Sequence, residues 1–105
     1  MWVMVMNMIL TTIAQEKKRI EYMLTKYKEE YDSLPKGTVS EKKVGENTYF
    51  YLKYRDGKKV ISKYVSKAQI DELRKRLEKR KHIEAMMASL QEELQIANKI
   101  LEGVL

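Results

Sequence analysis

The stretch YFYLKYRDGKKVISKYV, at residues 49–65, decides the fold that the sequence predicts. Apolar and polar residues alternate on both sides of Asp56-Gly57, as they do in two adjacent β-strands. A tight turn between such strands needs a positive φ, which glycine adopts without strain, so Asp-Gly predicts a β-hairpin. We expect this hairpin to present a surface between two helices rather than to enclose a reaction.

Two long helices flank the hairpin in the predicted fold. Apolar residues at intervals of seven indicate the first helix, and Pro35 ends it because proline removes a backbone donor and disfavours helix in the preceding residue. The second helix carries apolar residues at alternating spacings of four and three, which is the pattern of a coiled-coil seam. The first set is Ile13, Ile20, Tyr27 and Leu34, and the seam is Ile83, Met87, Leu90, Leu94, Ala97, Leu101 and Val104.

The sequence therefore predicts an α+β fold, mostly α, in which an antiparallel two-helix coiled coil carries a short β-meander or hairpin at its tip. A single domain over residues 1–105 is expected, with a helix over 2–33, a β-meander over 37–65 and a helix over 67–102. Matching the lengths of the two helices extends the first one back to Trp2. The same match places Trp2–Leu10 against Leu94–Leu101.

Residues 1–10 are apolar almost throughout. They are too few to span a bilayer, which takes about 20 apolar residues, and they lack the basic start and cleavage site of a signal peptide. No membrane partner is expected. Because a helix pair buries only one stripe of such a segment, another copy of the chain should cover the rest. We expect a homo-oligomer with an interface at Trp2, Met6, Leu94 and Leu101.

The net charge of +6 is unevenly distributed along the chain. Residues 36–65 carry eight cations against three acids. A localised positive field attracts polyanions or an acidic protein surface. Lysines on edge strands also prevent aggregation, so solubility alone is the alternative explanation.

One face of the predicted hairpin combines tyrosines with cations. Pairing across Asp56-Gly57 gives the opposite pairs Tyr49–Tyr64, Tyr51–Ser62, Lys53–Val60 and Arg55–Lys58. The candidate binding residues are Tyr49, Tyr51, Lys53, Arg55, Lys58 and Tyr64. In such an arrangement the rings stack on bases and the cations meet phosphates, although tyrosine also suits a half-buried strand that packs on protein.

A basic band on the second helix is a possible extension of that surface. Its members are Arg74, Lys75, Lys79 and Arg80. Acidic residues interleave with this band, so a solvated helix face with ion pairs between neighbouring turns is the alternative.

Catalytic and metal-binding functions find no support in the sequence. The chain has no cysteine and a single histidine, His82, so no metal ligand set is expected. No nucleophile elbow or phosphate-binding glycine loop is present. We expect a protein that is not an enzyme, with no cofactor, no metal and no small-molecule substrate. The lack of cysteine fits a cytoplasmic location.

The motif Leu34-Pro35-Lys36-Gly37, followed by the tyrosine-rich strand and by Ser62-Lys63-Tyr64-Val65, resembles a widespread group of small uncharacterised bacterial proteins. These proteins have a helix, a β-hairpin and a coiled-coil helix, and the resemblance covers residues 30–85. The hairpin is also similar to the arm-type DNA-binding domains of tyrosine recombinases, where a sheet enters the major groove. The helix-and-hairpin architecture is similar to prefoldin-type chaperones, which implies a hairpin that serves as an oligomer interface.

The predicted function is that of a non-enzymatic binding module from a bacterium or phage that docks nucleic acid through its basic, tyrosine-rich hairpin. The alternative is a protein-binding adaptor, an inhibitor or an oligomeric coiled-coil scaffold that uses the same hairpin. The sequence leaves open DNA, RNA or protein as the partner, the oligomer number and which of the early methionines is the native start.

Overall fold

The computed structural model describes the backbone of residues 2–103 and the side chains of residues 5–103. The elements are α1 (Trp2–Ser33), β1 (Thr38–Val44), β2 (Asn47–Asp56), β3 (Lys59–Val65) and α2 (Ile70–Leu101). Two long helices and a three-stranded antiparallel meander make this an α+β fold that is mostly α, as the sequence predicts. Val104 of the predicted seam lies outside the described residues.

The helix ends follow from local chemistry. Helix α1 ends at Ser33, two residues before Pro35, as predicted. Helix α2 begins three residues later than predicted, because residues 67–69 form a turn. The backbone N–H groups of Gln69 and Ile70 donate to the carbonyl of Ser66 at 3.0 and 3.1 Å, which closes this turn ahead of the helix.

The two hairpin loops share one design. The sheet order is β1-β2-β3, and each loop has two residues, Gly45-Glu46 and Gly57-Lys58. The two glycines have φ of 63° and 62°. No described residue other than glycine has a positive φ, so the second residue of each loop, Glu46 or Lys58, has a negative one. Glycine at the first loop position, with positive φ there alone, is the pattern of a type II′ turn, which matches the twist of the flanking strands.

The predicted pairing of β2 with β3 is wrong by two residues. Tyr51, not Tyr49, lies opposite Tyr64, and Lys53, not Tyr51, lies opposite Ser62. The prediction put Asp56 inside the loop, which would require a positive φ at an aspartate, whereas Asp56 ends β2 and pairs with Lys59. Because side chains alternate with a period of two, this shift leaves every residue on its predicted face of the sheet.

The chain forms two compact units, Met1–Tyr31 with Ile83–Leu105, and Asp32–His82. In the first unit, parts of α1 and α2 lie side by side. Ile83, Leu90 and Ala97, at intervals of seven along the predicted seam, are buried, as is Ile20 of α1. The Glu16 carboxylate raises the pKa of Arg19 through a hydrogen bond and its charge, and the charge of Glu93 on α2 acts in the same direction.

The expected packing of Trp2–Leu10 against Leu94–Leu101 stays a prediction, and the burial of Ala97 with the half-burial of Leu10, Leu94 and Leu101 agrees with it. Val5, Met6, Met8 and Ile9 are 53%, 48%, 66% and 51% exposed. These residues point around more than one side of α1, so a single neighbouring helix does not cover all of them. The side chain of Trp2 lies outside the described part of the structure.

The second unit has its core on one face of the sheet. Leu52 of β2, Val65 of β3 and Ile70 of α2 are buried together. Partly buried apolar residues complete the cluster: Val39, Phe50, Tyr54, Leu73 and Leu77. The first turns of α2 therefore cover one face of the meander and leave the other face to solvent.

Gly37 connects α1 to the sheet in a conformation that other residues rarely adopt. Its φ is 124°, and a Cβ atom built at this position would overlap the backbone carbonyl oxygen of Lys53. The same atom would lie 3.0 Å from Cβ of Tyr54. Both the backbone angle and the space thus require glycine.

Replacing Gly37 with alanine is expected to destabilise the protein by about 3 kcal/mol or more, because an unfavourable φ is combined with a backbone clash. Gly45→Ala is the matched control, since Gly45 also has a positive φ but an added Cβ meets nothing within 4 Å. That change should cost only about 1 kcal/mol. Urea unfolding followed by circular dichroism measures both. If both variants lost the same free energy of unfolding, the structure would have adjusted to remove the clash at position 37, which would contradict the prediction.

Candidate functional site: the tyrosine face of the sheet

The sheet face that points away from α2 carries cations and tyrosines but no acidic residue. We call it the tyrosine face. The strand register assigns to it Thr38, Ser40, Lys42, Val44, Asn47, Tyr49, Tyr51, Lys53, Arg55, Val60, Ser62 and Tyr64. The two acidic residues of β1 and β2 that follow the opposite alternation, Glu41 and Asp56, lie on the face that α2 covers. Alternation along the strands thus keeps the acidic strand residues off the tyrosine face, while lysines occur on both faces.

Three tyrosine rings form a cluster on this face. The ring of Tyr64 lies 5.9 Å from that of Tyr51 at an interplanar angle of 71°, and 6.4 Å from that of Tyr49 at 53°. These angles are those of edge-on and tilted contacts rather than of parallel stacking. Tyr49 and Tyr51 are half-buried, whereas Tyr64 is 60% exposed. The two inner rings therefore support an outer ring that solvent reaches.

Cations lie on both sides of the cluster. Lys42 of β1 is directly opposite Tyr49, while Lys53 and Arg55 continue the row along β2 beyond Tyr51. All three side chains are exposed. Residues 49 to 55 span about 20 Å at the rise of an antiparallel strand. The face thus offers aromatic rings with one cation beside Tyr49 and two beyond Tyr51.

The structure places five of the six predicted binding residues on this face. Lys58, the sixth, occupies the exposed loop between β2 and β3 rather than a strand. Sequence reasoning missed Lys42, although the alternation of β1 would have found it once Lys42 was paired with Tyr49. The prediction considered the β2–β3 hairpin alone, and a third strand adds a cation only when its register is known.

Tyr54 does not belong to the tyrosine face. It lies on the covered side of the sheet, where the ammonium groups of Lys36 and Lys63 sit 6.0 and 5.6 Å from its ring centre. Such cation–π contacts hold the connection after α1 near the sheet.

Arg74 and Arg80 of the predicted basic extension make contacts with groups outside α2. The guanidinium of Arg74 bonds the Glu41 carboxylate at 2.8 Å and lies 5.3 Å from the ring centre of Phe50, both on the covered side of the sheet. Arg80 donates from Nη1 to the carbonyl oxygen of Leu34 at 2.9 Å, which satisfies a group near the end of α1. Lys75 and Lys79 are exposed on α2.

The described residues contain no group of three or more histidine, cysteine or acidic side chains that could hold a metal ion. Within the same part of the chain, no buried polar or charged side chain occurs. Neither helix has a stretch in the described residues that is long and apolar enough to cross a membrane. The chemistry that the face can perform is contact through charge, hydrogen bonds and aromatic stacking.

Comparison with known proteins places the chain in a family. The chain belongs to the family described as Domain of unknown function (DUF6788), whose model matches residues 13–75. The match contains most of α1, the whole sheet and the first turns of α2. No curated protein and no solved structure matches the chain. The prediction of an uncharacterised family is confirmed, while the bacterial origin and the resemblance to recombinase arm domains stay predictions.

Arg74→Ala is expected to destabilise the protein by about 1 kcal/mol, because an exposed ion pair and an exposed cation–π contact each contribute less than that. Lys75→Ala is the control, since it removes a neighbouring cation that is exposed on the same helix, and should change stability by less than about 0.5 kcal/mol. Chemical unfolding compares the two. If the two variants are equally stable, the contacts of Arg74 with Glu41 and Phe50 contribute nothing.

Proposed function

We propose that the tyrosine face binds nucleic acid and that the protein acts as a non-enzymatic binding module. The observation that carries the proposal is the segregation of charge: three exposed cations and three tyrosines share one face of the sheet with no acidic side chain. A phosphate backbone would meet the cations without meeting a like charge. The exposed ring of Tyr64 would supply contact with bases.

The charge of the whole chain supports the same proposal. A net charge of +6 raises the local concentration of polyanions before contact is made. With no cysteine in the chain, its folding does not depend on an oxidising compartment. We therefore assign it to the cytoplasm, where nucleic acid is present.

An acidic protein surface is the alternative partner for the same residues. The two partners differ in their response to salt. Each phosphate that the protein neutralises releases condensed counterions, so nucleic-acid binding weakens steeply as salt rises. Protein contact centred on tyrosine side chains depends less on salt, because most of its energy comes from buried aromatic surface.

Lys53→Gln combined with Arg55→Gln is expected to weaken binding to nucleic acid about tenfold or more at low salt. The slope of the logarithm of the binding constant against the logarithm of salt concentration should become shallower by about one for each phosphate that the variant no longer neutralises. The matched control is Lys43→Gln with Lys59→Gln, which removes two exposed lysines from the other face of the same sheet. Fluorescence anisotropy across a salt series measures both. Equal losses in the two variants would mean that net charge acts without the tyrosine face, and would contradict the proposal.

We also propose that the exposed end of α1 pairs with a second copy of the chain. Val5, Met8, Ile9, Thr12 and Ile13 line an apolar groove of about 420 Å³. The Thr12 hydroxyl donates to the carbonyl of Met8 at 2.9 Å, which leaves its methyl group for packing. Residues 2–15 contain no charged side chain, so a two-fold pairing of this segment meets no like-charge repulsion. Of the residues predicted at the interface, Met6 is exposed, while Leu94 and Leu101 are half-buried.

Ile9→Glu is expected to shift the protein towards monomer, because pairing would bring two carboxylates together in an apolar contact. Thr25→Glu adds the same charge at an exposed position of α1 outside the uncharged segment and should leave the association unchanged. Sedimentation equilibrium over a concentration series gives the dissociation constants. A wild-type protein that is monomeric at all concentrations would refute the pairing, as would an Ile9→Glu variant that associates as the wild type does.

A further inference from the structure

The geometry of the three tyrosines points to a single strand of nucleic acid as the ligand, and we infer that unpaired bases stack on this cluster. The inference rests on the proposed function and adds the class of nucleic acid. It depends on three observations, which are the exposure of Tyr64, the spacing of the rings and the distribution of cations around them.

Exposure decides which surface of a base the protein can reach. Tyr64 is 60% exposed and rests against two half-buried rings. An aromatic ring gains most from contact with the flat face of a base. In a duplex those faces are covered by neighbouring base pairs, and only edges and phosphates are open to a protein. A tyrosine ring held towards solvent therefore suits a base that has left the stack.

The ring spacing favours the same ligand. The centres of Tyr51 and Tyr64 are 5.9 Å apart, and those of Tyr49 and Tyr64 are 6.4 Å apart. Stacked bases repeat at about 3.4 Å along each strand of a duplex. The rings are thus nearly twice as far apart as stacked bases, and they are not parallel to one another. A splayed single strand can place its bases one at a time against such rings, whereas a stacked duplex cannot.

The cations complete the binding surface along one direction. Lys42 lies beside Tyr49, and Lys53 and Arg55 follow Tyr51 along β2, so the tyrosines lie between positive groups. A backbone that runs along β2 would pass Lys42 beside Tyr49 and then meet Lys53 and Arg55 beyond Tyr51. Rings and cations on one face suit single strands, because these expose both phosphates and bases.

The test compares labelled oligonucleotides of about 12 nucleotides by fluorescence anisotropy with the wild-type chain. The probes are oligo(dT), oligo(rU), a mixed-sequence DNA duplex and an abasic strand that retains phosphates without bases. We expect the single strands to bind about tenfold or more tightly than the duplex and the abasic strand. The stronger of the oligo(dT) and oligo(rU) complexes then shows which of these two strands the face prefers.

Two variants at one position isolate stacking from charge. Tyr64→Leu removes the ring and should weaken single-strand binding about 5- to 140-fold, the range that corresponds to loss of one base–aromatic stack. Tyr64→Phe keeps the ring without its hydroxyl and should bind within about twofold of the wild type. Because Tyr64 is largely exposed, both variants are expected to fold, and circular dichroism confirms this before binding is measured.

The possible failures of the two proposals differ. Duplex or abasic strands that bind as tightly as base-bearing single strands overturn the inference, and so does equal binding by Tyr64→Leu and Tyr64→Phe. In either case the proposed function stands if Lys53→Gln with Arg55→Gln still weakens binding more than its matched control. A chain that binds none of the four probes at low salt refutes both the inference and the proposed function.

Discussion

The burial of Leu52, Val65 and Ile70 against one another is the constraint on which the rest of the sheet unit depends. It places one face of the meander under α2 and thereby fixes the other face towards solvent. Because side chains alternate along a strand, this single choice sends every residue of the three strands to one side or the other. The separation of acidic residues from the tyrosine cluster is a consequence of that packing and needs no further contact to maintain it.

The same packing also determines how cationic side chains are accommodated on the covered side of the sheet. Three cations on the covered side of the sheet lie against rings or a carboxylate: Lys36 and Lys63 against Tyr54, and Arg74 against Phe50 and Glu41. Such contacts let long cationic side chains pack along apolar surface while their charged ends reach water. The cations of the tyrosine face have no acidic neighbour on their own face. Part of the positive charge on the covered side is therefore structural, whereas the cations of the tyrosine face are available to a ligand.

Much of the fold could be predicted from the sequence because it depends on local rules. Pro35 ends α1, the seven-residue spacing marks Ile83, Leu90 and Ala97 as buried, and Gly57 marks a hairpin. The register of that hairpin could not be decided in the same way. A loop formed by Asp56-Gly57 needs two positive φ angles, whereas a loop formed by Gly57-Lys58 needs one, and the two give strand pairings that differ by two residues. The sequence around Asp-Gly is compatible with both loops, so it does not decide the pairing.

The candidate site was predictable in its face but not in its full membership. A shift of register by an even number of residues keeps Tyr49, Tyr51 and Tyr64 on one face, so the membership of that face was predicted correctly for β2 and β3 despite the wrong pairing. Lys42 required the pairing of a third strand, which sits far from the hairpin turn in sequence. The exposure of Met6 and its neighbours followed from the sequence, because a second helix covers only one side of a segment that is apolar all round.

Gly37 ties the exit of α1 to the strand that carries the tyrosine face. Its backbone lies so close to the carbonyl of Lys53 that any larger residue would have to push β2 away. Lys53 would then move with its strand, although position 37 itself precedes the strands and is not part of the face. A mutational screen for weakened binding would therefore identify Gly37 beside the true contact residues. The reason would be that Gly37 lies against the backbone of β2, not that it contacts the ligand.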